Sequence, residues 1–348
     1  MRVNVPTPAP ASGSEVTGSP GASVTPEPIM RLASGFMAAK HLFAADELGL
    51  FEALAEGPAT LDALAARTGL SPRAARISAD AMVALGLLVR VGDRYGNSPT
   101  ADTFLTGRTP ADLRPFLRFW DQVSYPAWCG LADALARGPA QQIFDLGDDL
   151  LEIAAAGIEA VLVGPASALP ERFDFSAHRR LLDIGGGTGS WSIAVARRYP
   201  HLQATVLELA PVAKVARDRV AKAELSSRIV VTVGDAMSEP PPPGHDVFLI
   251  ANLLHYWSPT DNEALLRRVR GSAEAGSHLL LADFWTDPTH TQPLQAALMA
   301  GEFAVHLRGG DVYSVEEVRD WFTRTGWRFI DHIPLAGPQS LVVAQAEV

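Results

Sequence analysis

Five apolar runs in the second half of the chain each end on residues that can do chemistry. Arg180-Leu181-Leu182-Asp183-Ile184 leads into Gly185-Gly186-Gly187-Thr188-Gly189 and then a helical stretch, Ser190 to Arg198. A strand, a glycine turn and a helix in that order set backbone N–H groups and a helix N-terminus against a ligand, and glycine permits close approach. Ala204-Thr205-Val206-Leu207 ends on Glu208, at the spacing where a carboxylate can accept hydrogen bonds from both hydroxyls of a ribose. Ile229 to Val233 is followed by Gly234-Asp235, whose carboxylate is of the kind that holds an adenine amino group. His245 to Ile250 ends at Asn252-Leu253-Leu254-His255-Tyr256-Trp257, and Leu279 to Ala282 ends on Asp283. Histidine, with an ordinary pKa of about 6.5, can take a proton near neutrality, and a carboxylate on its second nitrogen fixes the tautomer and steadies the imidazolium.

These groups meet only if the runs are strands of one sheet with their carboxyl ends on the same edge. Apolar runs alternating with helical stretches predict that arrangement: a doubly wound α/β sheet with its ligand at the strand ends. A late helix, Val315 to Thr325, and two further runs, Trp327 to Ile330 and Ser340 to Ala344, bring the sheet to about seven strands with an antiparallel edge. A dinucleotide site wants Gly-x-Gly-x-x-Gly to seat a pyrophosphate. GGGTG with Asp183 just before it instead resembles the first motif of S-adenosylmethionine (SAM)-dependent methyltransferases, whose cofactor carries no phosphate.

With Asn252 to Trp257 added, the chain resembles the caffeate-type O-methyltransferases, a family of plant phenolic and actinobacterial natural-product enzymes. The resemblance covers nearly all of the sequence after its first residues. It implies a C-terminal Rossmann-like SAM-binding domain, an N-terminal all-α winged-helix dimerisation domain, a homodimer, and methyl transfer from SAM to a hydroxyl of a small aromatic or polyketide-like metabolite. It sets Gly185, Glu208, Asp235 and Ala236 at the cofactor, with Asp183, Gly187 and Asn252 expected beside them. It makes His255 the general base and Asp283 its orienter.

The sequence departs from the family at three places. Tyr256 follows the base where aspartate is usual, Gly309-Gly310-Asp311-Val312-Tyr313 stands where a second supporting glutamate is expected, and Ala251 replaces a lysine. These departures raise interest in His306, which with Met299 and Phe303 is expected to line the acceptor pocket. His255, His290 and His306 with Asp283 could bind a divalent metal, as in a related branch that methylates carbon in 2-oxo acids. The short His-x-x-His and His-Glu-x-x-His spacings are absent, so no metal is assigned and His290 reads as a loop residue. A non-methylating member of the same scaffold is the other alternative.

The front half must close that site. Thr60 is an N-cap candidate for a short helix that Gly69 ends, and Ser71-Pro72 opens another. Leu88 to Val91, Gly92-Asp93 and Arg94-Tyr95 then make a hairpin, giving the order of a winged helix. Its second helix carries only Arg73 and Arg76 as basic residues, too few for the phosphate contacts of a DNA-binding helix, so the element is read as structural or dimerising. Between the halves, Phe116, Phe119, Trp120, Tyr125 and Trp128 concentrate aromatic side chains; Trp120, Tyr125 and Trp128 are expected at the acceptor. Gly138-Pro139 and Gly164-Pro165 should interrupt the helices there.

Composition bounds the rest. The 348 residues carry 29 Lys and Arg against 39 Asp and Glu, a net charge of −10 that disfavours a nucleic-acid partner. Cys129 is the one cysteine, read as a packing residue in a reducing, cytoplasmic setting. No signal-like run and no membrane-length apolar stretch is expected. Met1 to Pro28, rich in Pro, Ser, Gly and Thr, reads as a disordered tail. The division expected is 29–108 for dimerisation, 109–174 as helical linker, and 175–348 for the cofactor domain.

Overall fold

Two hydroxyl caps organise the front of the chain. The computed structural model describes residues 24–347. The tail expected over 1–28 lies outside these residues as far as 23, and its last two, Glu27 and Pro28, already belong to a helix, Glu27–Ala33. A second helix, Phe36–Glu47, and a single turn, Leu50–Ala53, follow. Strand β1, Ala59–Thr60, leads into the helix Leu61–Thr68, where Thr60 Oγ1 accepts from the Ala63 N–H at 3.3 Å and Gly69, at φ 70°, ends the helix. Ser71 caps the helix Pro72–Ala84 in the same way. Strands β2, Leu88–Val91, and β3, Arg94–Asn97, form the expected hairpin, and β1 adds a third antiparallel strand beside β3. Leu50, Phe51, Leu54, Leu64, Met82 and Tyr95 fill the core beneath. Arg76 is tied to Asp80, one turn on at 3.0 Å, which leaves this helix still less cation for a phosphate.

Between the halves run Arg114–Phe119, a widened turn at Trp120–Ser124, Tyr125–Trp128 and Leu131–Arg137. The helix Asp148–Arg172 follows, 25 residues long, with Pro165 and Pro170 inside it. The break expected at Gly164-Pro165 is therefore absent: a proline removes one rung of the hydrogen-bond ladder, and the buried residues around it, Ala166 and Leu169, hold the helix against the sheet. By length and composition this helix is apolar enough to cross a membrane, contrary to the reading of the sequence. It is nevertheless built into the body of the fold: Gly157 lets Phe119 and the Pro115 carbonyl approach its backbone, and Glu159 pairs with Arg219 of the cofactor domain. Cys129, expected to be packed, is exposed, because Trp128 beside it takes the inward position.

The cofactor domain is a seven-stranded sheet in the order β6-β5-β4-β7-β8-β10-β9. Strands β4 (Arg180–Ile184), β5 (Gln203–Glu208), β6 (Ile229–Val233), β7 (Val247–Ala251) and β8 (His278–Asp283) are parallel. Strands β9 (Trp327–Pro334) and β10 (Ser340–Ala346) close it antiparallel. Central strands buried on both faces explain the unbroken apolar runs of β4, β7 and β8. Separate apolar layers cover the two faces. The chain winds outward from β4 through β5 to β6, then restarts at β7 and winds the other way. In open sheets of this kind the ligand crevice lies where that order reverses, at the carboxyl ends of β4 and β7.

Candidate active site

The glycine turn follows β4 at that crevice. Gly185, Gly187 and Gly189 have φ of 63°, 57° and 82°, backbone that a side chain would strain. A methyl on Gly185 would press on Leu253, while one on Gly187 would meet nothing within 4 Å, so the turn is tight beneath and open above. Glu208 ends β5 beside it; its Oε2 accepts from the Gly187 N–H at 2.9 Å and its Oε1 from the Leu209 N–H at 2.7 Å. Asp235, past β6, accepts from the Met237 N–H at 2.9 Å and the Ser238 hydroxyl at 3.0 Å, with Ala236 buried next to it. Asn252, past β7, sits at φ 53°; its Oδ1 accepts from Gln339, and its buried Nδ2 has no partner among the described residues.

His255 lies on a short turn, Leu254–Tyr256, that Asn262 braces by donating to the Leu254 carbonyl at 2.9 Å. Its Nδ1 stands 2.7 Å from Asp283 Oδ1, and both side chains are buried. The Phe284 N–H donates to the same Asp283 oxygen at 2.9 Å. With Nδ1 engaged, Nε2 is the nitrogen left for an acceptor. The Phe303 ring lies flat on the imidazole, centres 4.1 Å apart and planes within 10°, and Tyr256 packs at 4.6 Å. Burial, with Asp283, Glu208 and Glu302 adding to it, pushes the Tyr256 phenol up to about 12, so it stays protonated.

Residues 30–107 match the O-methyltransferase dimerisation domain and residues 159–328 the O-methyltransferase domain. The 3-hydroxy-5-methyl-1-naphthoate 3-O-methyltransferase of Streptomyces sahachiroi is 31% identical over 329 residues, 92% of this chain and 95% of that protein. This chain belongs to the O-methyltransferase family. Acetylserotonin O-methyltransferase of Mus musculus is 33% identical over 304 residues, 81% of this chain and 78% of that one. The crystal structure of human N-acetylserotonin methyltransferase in complex with SAM has a TM-score of 0.82 at 25% identity, covering 95% of this chain and 100% of that one. The methyltransferase is α/β, with an N-terminal helical dimerisation domain and a Rossmann-like domain, and its cofactor is SAM.

The methyltransferase's own residues fit that cofactor. An N–H of a glycine turn is normally free to hold phosphate, but here the Gly187 N–H is taken by Glu208, whose negative charge would repel a pyrophosphate. A phosphate-free cofactor with a cationic sulfonium suits the same carboxylate. Asp183, expected at the cofactor, lies underneath: it is fully buried, its Oδ2 accepts from Ser192 at 2.7 Å, and a methyl on Gly186 would strike its carboxyl group.

Burial, reinforced by the nearby Glu208 charge, raises Asp183 from 3.8 to about 7. A folded-state pKa above the unfolded one means that this group's contribution to stability is full below about pH 4 and is lost as pH rises to about 7. Asp183→Asn removes that slope, so between about pH 5 and about pH 8 its melting temperature is expected to gain on the wild type's; parallel curves would contradict this.

Of the residues expected at the acceptor, Trp120, Met299 and Phe303 join one apolar cluster with Tyr256 and Phe284 around His255. Trp128 reaches the helix Leu294–His306, which carries Met299 and Phe303, through its indole N–H, bound to Glu302. Tyr125 is placed differently: it packs against Lys40 of the front half, the ammonium 5.0 Å from its ring centre, and stays out of the cluster. His306 is buried 3.2 Å from Glu302, and His290, in its loop, is 3.2 Å from Glu317. Each of the three histidines thus has a separate carboxylate. Among the described residues no group of three or more His, Cys, Asp or Glu is gathered as a metal site.

Sequence reasoning missed Glu302, Gln339 and Glu159. Glu159, on the linker helix, accepts from the Thr188 and Ser190 hydroxyls and so ties the linker to the glycine turn. Where the second supporting glutamate is expected, the backbone braces the main chain of the base instead of its ring. Gly310 lies against the His255 carbonyl, which accepts from the Asp311 N–H at 3.1 Å, while the Asp311 side chain stays exposed.

Proposed function

We propose that this methyltransferase moves the methyl group of SAM to a hydroxyl of a small aromatic or polyketide-like metabolite, with His255 as the base. The observation that carries the reading is the buried His255–Asp283 pair at 2.7 Å, next to the mouth of the glycine turn and stacked on Phe303. Bound SAM supplies a methyl group on a positively charged sulfur. Glu208 would hold the ribose hydroxyls and Asp235 the adenine end, with Gly185 and Gly187 letting the backbone come close; Ala236 and Asn252 complete that side. His255 Nε2 takes the proton of the acceptor hydroxyl as its oxygen becomes the nucleophile. Asp283 keeps the proton of the neutral imidazole on Nδ1 and stabilises the imidazolium that forms. Phe303, Tyr256 and Phe284 hold a planar acceptor and exclude water, so that oxygen and methyl are aligned before reaction.

The aromatic wall supports a planar acceptor, as does the likeness to an enzyme named for a hydroxynaphthoate. A homodimer is supported by the matched dimerisation domain and by Ile29, Met30, Leu32, Phe36 and Met37, which stand exposed on its first two helices. The reading is tested with isotopically labelled SAM and a panel of hydroxynaphthalenes. Label is expected in an aryl O–CH3 group seen by mass spectrometry and NMR; label on carbon or nitrogen, or in no product, would contradict it.

A further inference from the structure

The helix Leu294–His306 carries Met299, Glu302, Phe303 and His306 at i, i+3, i+4 and i+7, which is one stripe. Phe303 of that stripe stacks on His255, and Met299 packs in the cluster that contains Tyr256 and Phe284. The stripe therefore faces the base and its aromatic surround. Two of its members are polar and almost sealed, Glu302 at 4% and His306 at 5% exposure.

A buried carboxylate is costly unless its lone pairs are satisfied. Glu302 is half satisfied: its Oε2 accepts from the Ser124 hydroxyl at 2.6 Å and from the Trp128 indole N–H, both from the linker. Among the described residues its Oε1 has no hydrogen-bond partner, and neither has His306 Nε2, although the two atoms stand 3.2 Å apart. Their alignment does not let them satisfy each other, so a fixed carboxylate oxygen and a fixed ring nitrogen are both buried and unpartnered on the stripe that meets the base.

We propose that Glu302 and His306 form the specificity-determining pole of the acceptor pocket and take an N–H or O–H group of the acceptor, remote from the hydroxyl that is methylated. That group donates to Glu302 Oε1 and, where it has a lone pair, accepts from His306 Nε2. Ser124 and Trp128 are positioning residues, since they fix the other carboxylate oxygen. The class of acceptor is thus an aromatic phenol bearing a second hydroxyl, an amine or an amide. Analogues that offer only methyl or methoxy there leave the buried carboxylate unpaired, which rejects them far more strongly than a mere lack of contact would. The inference rests on the reading of the His255 side of the crevice as the acceptor site.

The test reads binding without turnover. The protein loaded with S-adenosylhomocysteine is titrated by calorimetry with 6-amino-2-naphthol and with 6-methoxy-2-naphthol. The wild type is expected to bind the amine about tenfold or more tightly than the methoxy compound. Glu302→Gln keeps an oxygen for Ser124 and Trp128 and turns the free oxygen into a donor, so the preference should shift towards the methoxy compound; a role in packing alone would leave the ranking unchanged. His306→Gln should weaken the amine without inverting the order. Equal affinities in the wild type, including no measurable binding of either, or an unchanged ranking in Glu302→Gln, overturns the proposal. Absence of methylated product from a bound naphthol counts against the transfer reading, not against this pole.

Discussion

Replacing His255 with alanine is expected to slow methyl transfer by about 10²- to 10⁴-fold, the usual range for a lost general base. The side chain is buried, and its only hydrogen-bond partner among the described residues is Asp283, so the change leaves the glycine turn and Glu208 as they are. Affinity for S-adenosylhomocysteine should therefore stay within about twofold. The pairing of a large loss of rate with retained cofactor affinity separates a base from a structural histidine. Turnover within about tenfold of the wild type would remove His255 from the mechanism.

The second large effect belongs to Glu208→Ala. Glu208 does two jobs at once: its carboxylate fixes the glycine turn through the Gly187 and Leu209 N–H groups, and its remaining lone pairs are left for the ribose hydroxyls. Hydrogen bonds to a charged group contribute about 1.5–3 kcal/mol each. Losing two of them weakens S-adenosylhomocysteine by about 10²- to 10⁴-fold, read by calorimetry. A change of less than about tenfold would mean that the ribose is held elsewhere. The two variants split the machinery cleanly, since one should lose rate and the other affinity.

The central sheet was legible because its parallel strands are buried on both faces and read as unbroken apolar runs, each stopping at a polar residue that the fold then gathers at one edge. Capping was legible for the same local reason: Thr60, Ser71 and Gly69 act on residues within a turn of themselves. What the sequence hid are contacts between distant segments. Glu302 sits in a helix that reads as apolar, and its partners Ser124 and Trp128 lie 178 and 174 residues away. Tyr125 and Trp128 look equivalent in sequence, yet one turns towards Lys40 and the other towards Glu302. Asp183 reads as a ligand-facing carboxylate because it precedes the glycines, but alternation along β4 puts its side chain beneath them, against Ser192. Pro165 looked like a stop and is carried inside a helix whose tertiary packing outweighs one missing bond.

The claim that His255 Nε2 removes the acceptor's proton is tested most directly by the single-turnover rate of methyl transfer to 6-amino-2-naphthol as a function of pH, in the wild type and in His255→Ala. With the base in place, the enzyme should keep a high rate well below the pKa of the free naphthol. Without it, the rate should follow the fraction of naphtholate, falling about tenfold for each pH unit below that pKa. Profiles of the same shape in both proteins would contradict the assignment.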